Sequence, residues 1–149
     1  MKSKTKLILL EIISLLLVVL FVYAAANKMM DYTRFKVQLE QSPILRDLAY
    51  LVAWSIPALE IIIVFLLVIP KYRLLGLYAS FFLMVLFTTY LIIILNFFES
   101  KDIPCSCGGI LNKLGWKTHI YFNLFFIIIS AIGITISSYT KKNKFYLTG

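Results

Sequence analysis

The stretch LILLEIISLLLVVLFVYAAA, Leu7 to Ala26, decides the fold. Only Glu11 and Ser14 interrupt its apolar run, and Lys2, Lys4 and Lys6 stand in front of it. About 20 apolar residues, at ~1.5 Å each, span a hydrocarbon core of ~30 Å. The run predicts a membrane-spanning helix over 7–28. A cleavable signal peptide ending at Ala24-Ala25-Ala26 is the competing reading. The run is longer than a usual signal-peptide core, however, and carries a carboxylate one turn in.

The rest of the chain has the same character. Its 149 residues are 61% hydrophobic, with a mean hydropathy of +0.91. A soluble domain is nearer half apolar. The few charges cluster between long runs of Leu, Ile, Val and Phe. The net charge of +8 therefore reads as lysines bracketing membrane segments. Neither a basic helix nor an aromatic stacking platform accompanies it, so nucleic acid is not an expected partner. The length suits one domain, 1–149, and no repeat or low-complexity tract divides it.

Beyond Ala26, residues 27–42 form a polar connection. Within it Tyr32, Phe35 and Leu39 share one helical face, which fits a short helix on the membrane surface or a plain loop. Ser42-Pro43 reads as a cap and first position of a second spanning helix over 43–69, stopped by Pro70. Pro57 lies inside that helix and removes one backbone bond. Glu60 follows it, near the bilayer midplane. After the basic turn Lys71-Tyr72-Arg73 comes a third helix over 73–98. Trp116 marks re-entry into the interface, and a fourth helix over 116–138 carries His119 and Asn123 in its first turns. The tail Lys141-Lys142-Asn143-Lys144 is basic. The expected fold is an all-α bundle of four transmembrane helices.

Four spans put both termini on one side. That side holds Lys2, Lys4, Lys6, Lys71, Arg73, Lys141, Lys142 and Lys144 in very short segments. On the opposite connections, Asp31, Glu40, Asp47, Glu99 and Asp102 dilute the basic residues. The positive-inside rule then predicts cytoplasmic termini. It puts the second polar connection, between the third and fourth helices, on the periplasmic or extracytoplasmic face of the inner membrane.

That connection contains Pro104-Cys105-Ser106-Cys107-Gly108-Gly109, with both cysteines of the chain. Disulfides persist on the outer face. A bond between cysteines one residue apart closes a very small ring. Preferred disulfide geometry, with Cα atoms about 5.5–6 Å apart, is reached there only with strain. Strained disulfides are more oxidising and tend to be labile or catalytic. A purely structural disulfide is the alternative, although so short a loop removes little unfolded-state entropy. A third reading is a copper site from Cys105, Cys107 and His119 with Met29 or Met30 nearby. Structural zinc would want a fourth good ligand.

Ionisable groups within hydrocarbon are costly and usually face the bundle interior. Lys28, Glu60, Asn96, His119 and Asn123 are accordingly expected to form a polar ring beneath the cysteine connection. Glu60 reads either as a proton carrier or as a structural group bonded to a neighbouring helix. His119, the single histidine, reads either as an acid/base that raises the thiolate fraction of a cysteine or as an interfacial residue satisfied by water or headgroups. Glu11 reads as snorkelling or bonded to a neighbour. The phenylalanines read as lipid-facing or core, and periodicity does not show whether a pocket for an apolar ring lies between the helices.

In order, Ala26-Asn27-Lys28, Phe35, Pro57-x-x-Glu60, Cys105-x-Cys107-Gly108-Gly109 and Trp116-x-x-His119-x-x-x-Asn123 resemble the methylamine-utilisation MauE family, within the wider DoxX-like group of redox-associated membrane proteins. The likeness runs from the first helix to the fourth. It implies a four-helix inner-membrane protein working beside a periplasmic thioredoxin-like partner, in maturation of the disulfide-rich small subunit of methylamine dehydrogenase. It also implies Cys105 and Cys107 as the redox pair, with Glu60 and Lys28 as buried polar partners. One departure is visible. The family pattern has Phe between the second cysteine and the glycine, whereas here Gly108 follows Cys107. The resemblance thus speaks more to the chemistry than to the pathway.

Two classes of function remain. One is a membrane thiol–disulfide oxidoreductase component acting through Cys105 and Cys107. No cofactor is required by the sequence, though a quinone held between the helices would serve as the other electron terminus. Quinone-coupled disulfide-forming proteins of the DsbB and vitamin K epoxide reductase type carry two cysteine pairs, and this chain has one. The other class is a non-catalytic assembly factor that docks a partner through its outer loops. Transport has thin support, since no inverted repeat or paired broken helices are evident.

Overall fold

The computed structural model describes residues 3–97 and 116–147, with side chains described for 4–97 and 117–140. Five α-helices and one short 3-10 turn account for nearly all of them, and no strand occurs among the described residues. The helices are α1 (Ser3–Met30), α2 (Tyr32–Glu40), α3 (Ala49–Val68), α4 (Arg73–Phe97) and α5 (Trp116–Leu147). All but the short α2 are long and apolar enough to cross a membrane. The connection that carries Cys105 and Cys107 lies outside the described residues.

The four long helices form a bundle in which α1 packs on α3, α3 on α4, α4 on α5, and α5 back on α1. The pairs α1/α4 and α3/α5 thus face each other across the two diagonals. Each helix contributes one stripe at three- and four-residue spacing, the period at which side chains share a helical face. On α1 the stripe is Leu10, Ile13, Leu17, Phe21, Ala25 and Lys28. On α3 it is Ala49, Ala53, Pro57, Glu60, Ile63 and Leu67. His119, Asn123, Phe126 and Ser130 form it on α5. The outward residues, such as Leu15, Phe65, Phe82 and Ile128, are exposed and apolar. Against lipid, such helices gain from close packing more than from escaping water. Small residues provide that packing. A Cβ on Gly76 would lie 2.9 Å from the backbone nitrogen of Leu67, so α4 meets the end of α3 at backbone distance. Ser80 and Ser130 are fully buried and return their hydroxyls to carbonyls of their own helices.

Several boundaries differ from the sequence reading. The second spanning helix does not begin at Ser42-Pro43. Residues 41–45 are turns and bends, a 3-10 turn covers Arg46–Leu48, and α3 starts at Ala49. Ser42 is buried, and its hydroxyl pairs with the Tyr90 hydroxyl of α4 at 2.6 Å. That partnership takes the oxygen that capping would have used. The stop before Pro70 holds: Ile69 is extended, as proline prefers of the residue before it. The last helix runs on to Leu147 rather than ending near 138. Polar Ser137 and Ser138 do not interrupt the helix, since the residues after them contain no Pro or Gly until Gly149 and include helix-favouring lysines.

Residues 32–40 are helical, and Asp31 caps them by accepting from the Arg34 amide at 3.4 Å. Phe35 and Leu39 of α2 bury against Ala49 and Ala53 of α3, with Leu45 alongside. At the opposite end of the bundle, Arg73 bonds Glu11 at 2.7 Å, and the Lys6 ammonium sits 3.9 Å from the centre of the Tyr139 ring. Those contacts bring the start of α1, the α3–α4 turn and the C-terminal part of α5 to one end.

Candidate functional site

Lys28 falls in the last turn of α1, on the stripe that buries Leu17 and Phe21. Helical side chains lean toward the N-terminus. The Lys28 side chain therefore runs back into the bundle, where its ammonium donates to the Ala24 carbonyl at 3.3 Å. It also donates to Glu60 Oε1 at 2.7 Å. The rings of Phe35 and Phe87 flank it, each centred 5.9 Å away.

Glu60 approaches from α3, which runs antiparallel to α1. Its side chain is 2% exposed and that of Lys28 is 4% exposed. Burial of both charges is tolerable because each neutralises the other at hydrogen-bond distance. The second carboxylate oxygen, Oε2, is buried and has no hydrogen-bond partner among the described residues. Such an acceptor costs about 1–3 kcal/mol when left unsatisfied.

His119 and Asn123 stand one turn apart on α5, both buried, His119 to 1% exposure. With Lys28, Glu60, Phe87 and Phe122 they line a cavity of about 50 Å³ where the four long helices meet. The structure thus brings together four of the five residues expected to form a polar ring. Asn96 does not join them. It lies two residues past buried Ile94, roughly 200° around α4, and its exposed amide donates to the Ile92 carbonyl at 2.9 Å. Cys105 and Cys107 lie outside the described residues. Glu11, expected to snorkel or bond a neighbour, bonds Arg73. Among the described residues no group of three His, Cys, Asp or Glu is placed to hold a metal ion.

Sequence reasoning did not single out Phe87, Met84 or Phe122 as cavity walls. They differ from the many other apolar residues only in facing the crossing point, which needs the helix packing to be known. A second cavity was equally illegible. It is apolar, about 260 Å³, and lies between α2, α3 and α4, with Phe35, Leu39, Val52, Leu83, Phe87 and Tyr90 in its walls.

A bundle of four apolar helices closed around a buried lysine–glutamate pair defines a multi-pass membrane protein with a polar centre. Residues 6–136 match the sequence profile of methylamine utilisation protein MauE, and the chain belongs to that family. No curated protein and no solved structure matches it.

Proposed function

We propose that this protein is a membrane thiol–disulfide exchange component, with both termini cytoplasmic and Cys105 and Cys107 facing the periplasm or exterior. The observation that carries this reading is the buried Lys28–Glu60 pair gathered with His119 and Asn123 around one cavity. Charged groups kept at such cost inside a membrane usually serve ion, proton or substrate chemistry. Chain connectivity supports the reading further, since the cysteine connection leads directly into the turn that holds His119.

In this mechanism a thiolate of the pair attacks the disulfide of a thioredoxin-like partner. One S–S bond breaks, a mixed disulfide forms, and the partner's thiolate leaves. The second cysteine then attacks the mixed disulfide and releases the partner as a dithiol. Two electrons have moved to the partner, and Cys105–Cys107 is a disulfide. The reverse sequence oxidises the partner. His119 serves as acid/base for the thiol, and Glu60 carries a proton within the bundle. A lipid-soluble quinone would supply a two-electron, two-proton terminus, and Phe35, Leu39, Val52, Leu83, Phe87 and Tyr90 offer walls apolar enough for it. The client is a secreted or periplasmic protein whose disulfides need maturation, of the methylamine-utilisation kind.

The test is the redox state of the partner in cells carrying Cys105→Ser or Cys107→Ser. The expected result is a partner trapped in one redox state. An unchanged partner would sink the proposal. The pair's midpoint potential in membranes should also lie well above the roughly −300 mV below which stable structural disulfides fall.

A non-catalytic assembly factor is the second reading, because the Lys28–Glu60 bond also ties α1 to α3. In that case the Cys105/Cys107 double serine variant keeps function, while changes at Lys101, Asp102 or Lys113 lose it.

A further inference from the structure

Glu60 Oε2 is a buried acceptor without a partner among the described residues, on a side chain 2% exposed that walls the central cavity. Its sister oxygen is taken by Lys28. Something must donate to Oε2, or the bundle carries an uncompensated polar atom at its centre. A cation is a poor candidate, because the Lys28 ammonium already neutralises the carboxylate. A neutral donor is required. The cavity of about 50 Å³ exceeds the ~10–15 Å³ that one water needs, so it accommodates more than one. Its polar lining is Lys28, Glu60, His119 and Asn123, enough partners to hold water in place. The gap also lies along the diagonal between α3 and α5, which are not packing neighbours.

We infer that this cavity is an internal water site, where ordered water donates to Glu60 Oε2 and links it across the diagonal to His119 and Asn123 on α5. The ion pair of α1 and α3 and the polar turn of α5 then form one hydrogen-bonded network. A proton held at Glu60 has a route to the imidazole, and with it to the end of the bundle from which the cysteine connection leaves. The water site itself stands on the geometry. Only the use of that route rests on the thiol-exchange reading.

The experiment is water-edited solid-state NMR on the full chain in lipid bilayers, reading magnetisation transfer from water to the side-chain carboxyl carbon of Glu60. Fast transfer, comparable to that of exposed Glu40, is expected despite complete burial. In Ala24→Leu, which fills the cavity wall, the transfer should slow several-fold while Glu40 is unchanged. Slow transfer in the unaltered protein overturns the inference, and that result does not depend on whether the variant folds. Slow transfer together with a Glu60 carbon signal that moves in Asn123→Leu also overturns it, since a direct protein donor would then hold Oε2. Partner redox state, measured separately, distinguishes loss of the water site from failure of thiol exchange.

Discussion

The Lys28 ammonium and the Glu60 carboxylate meet at 2.7 Å inside the bundle, beside buried His119 and Asn123, one from the end of α1 and the other from within α3. Each occupies a position that a leucine or isoleucine would fill in a plain helical stripe. Removing one partner leaves the other charge buried and unpaired, which typically costs about 3–5 kcal/mol. Lys28→Met and Glu60→Leu should each destabilise the protein on that scale. The double variant should recover most of the loss, because buried pairs replaced by well-packed apolar residues are often neutral or stabilising. Denaturant unfolding in detergent measures this. If the double variant is stable yet inactive in partner oxidation, the pair serves chemistry. If it is stable and active, the pair serves packing.

His119 invites a separable prediction. If it serves as the acid/base of the proposed thiol exchange, it should govern rate rather than stability. His119→Gln, which retains a polar side chain within the cavity, should slow thiol exchange at neutral pH by roughly 10²–10⁴-fold, the range usual for a general acid or base. Its midpoint potential for Cys105–Cys107 should change little. Stopped-flow exchange with a model disulfide reads the first quantity, and redox titration reads the second. An unchanged rate with a large loss of stability would assign His119 to the scaffold alone.

Much of this architecture was legible because hydrocarbon is a severe solvent. Runs such as Leu7–Ala26 have one low-energy conformation there, so four spans follow from composition and length. The ring of polar residues was legible for the same reason: Lys28, Glu60, His119 and Asn123 each fall at stripe spacing with buried apolar neighbours. Asn96 was expected in the ring and does not join it: α4 carries apolar residues on its outward faces too, so only the packing shows that Ile94 and not Asn96 faces inward. Ser42-Pro43 misled because a local capping pattern competes with tertiary partners, and the Tyr90 hydroxyl, 48 residues away in sequence, is such a partner. The cavity walls were illegible because Phe87 and Phe122 look like any other apolar residue until the helices cross.

The Ser42–Tyr90 contact itself can be measured. A hydrogen bond of this kind contributes about 0.5–1.5 kcal/mol. Tyr90→Phe and Ser42→Ala should each cost about that much, and the double variant should cost less than their sum, since both remove one interaction. The contact fixes the turn before α3 onto α4, so amide exchange across 41–48 should quicken in both single variants. Additive costs would mean that the two hydroxyls act independently.

Gly76 separates packing from polarity. A Cβ there meets the Leu67 nitrogen at 2.9 Å and the Leu66 carbonyl carbon at 3.0 Å, both backbone atoms that cannot turn aside. Gly133→Ala instead meets the methyl groups of Leu77 and Ile13 at 3.0 and 3.1 Å, which can give by rotation. Gly76→Ala should therefore cost about 1–3 kcal/mol, as overpacking does, and Gly133→Ala less. Thermal unfolding in detergent ranks the two. The opposite order would mean that α3 and α4 separate more readily than their close approach suggests.

The orientation of the bundle decides whether any thiol chemistry meets an oxidising compartment. The start of α1, the α3–α4 turn and the C-terminal part of α5 share one end, tied there by Arg73–Glu11 and by Lys6 on Tyr139. Lys4 and Lys71 stand in those segments, and the positive-inside rule predicts that short basic segments of this kind stay in the cytoplasm. An impermeant maleimide added to intact, gently reduced cells should label Cys105 and Cys107. A cysteine introduced at Lys71 should react only after lysis. Reversing one short segment's charge, as in Lys71→Glu with Arg73→Glu, should weaken this asymmetry by an amount visible in the labelling ratio. Labelling of the native cysteines only after lysis would place them in the reducing cytoplasm, where a strained two-cysteine ring stays open and exchange with an extracytoplasmic partner is impossible.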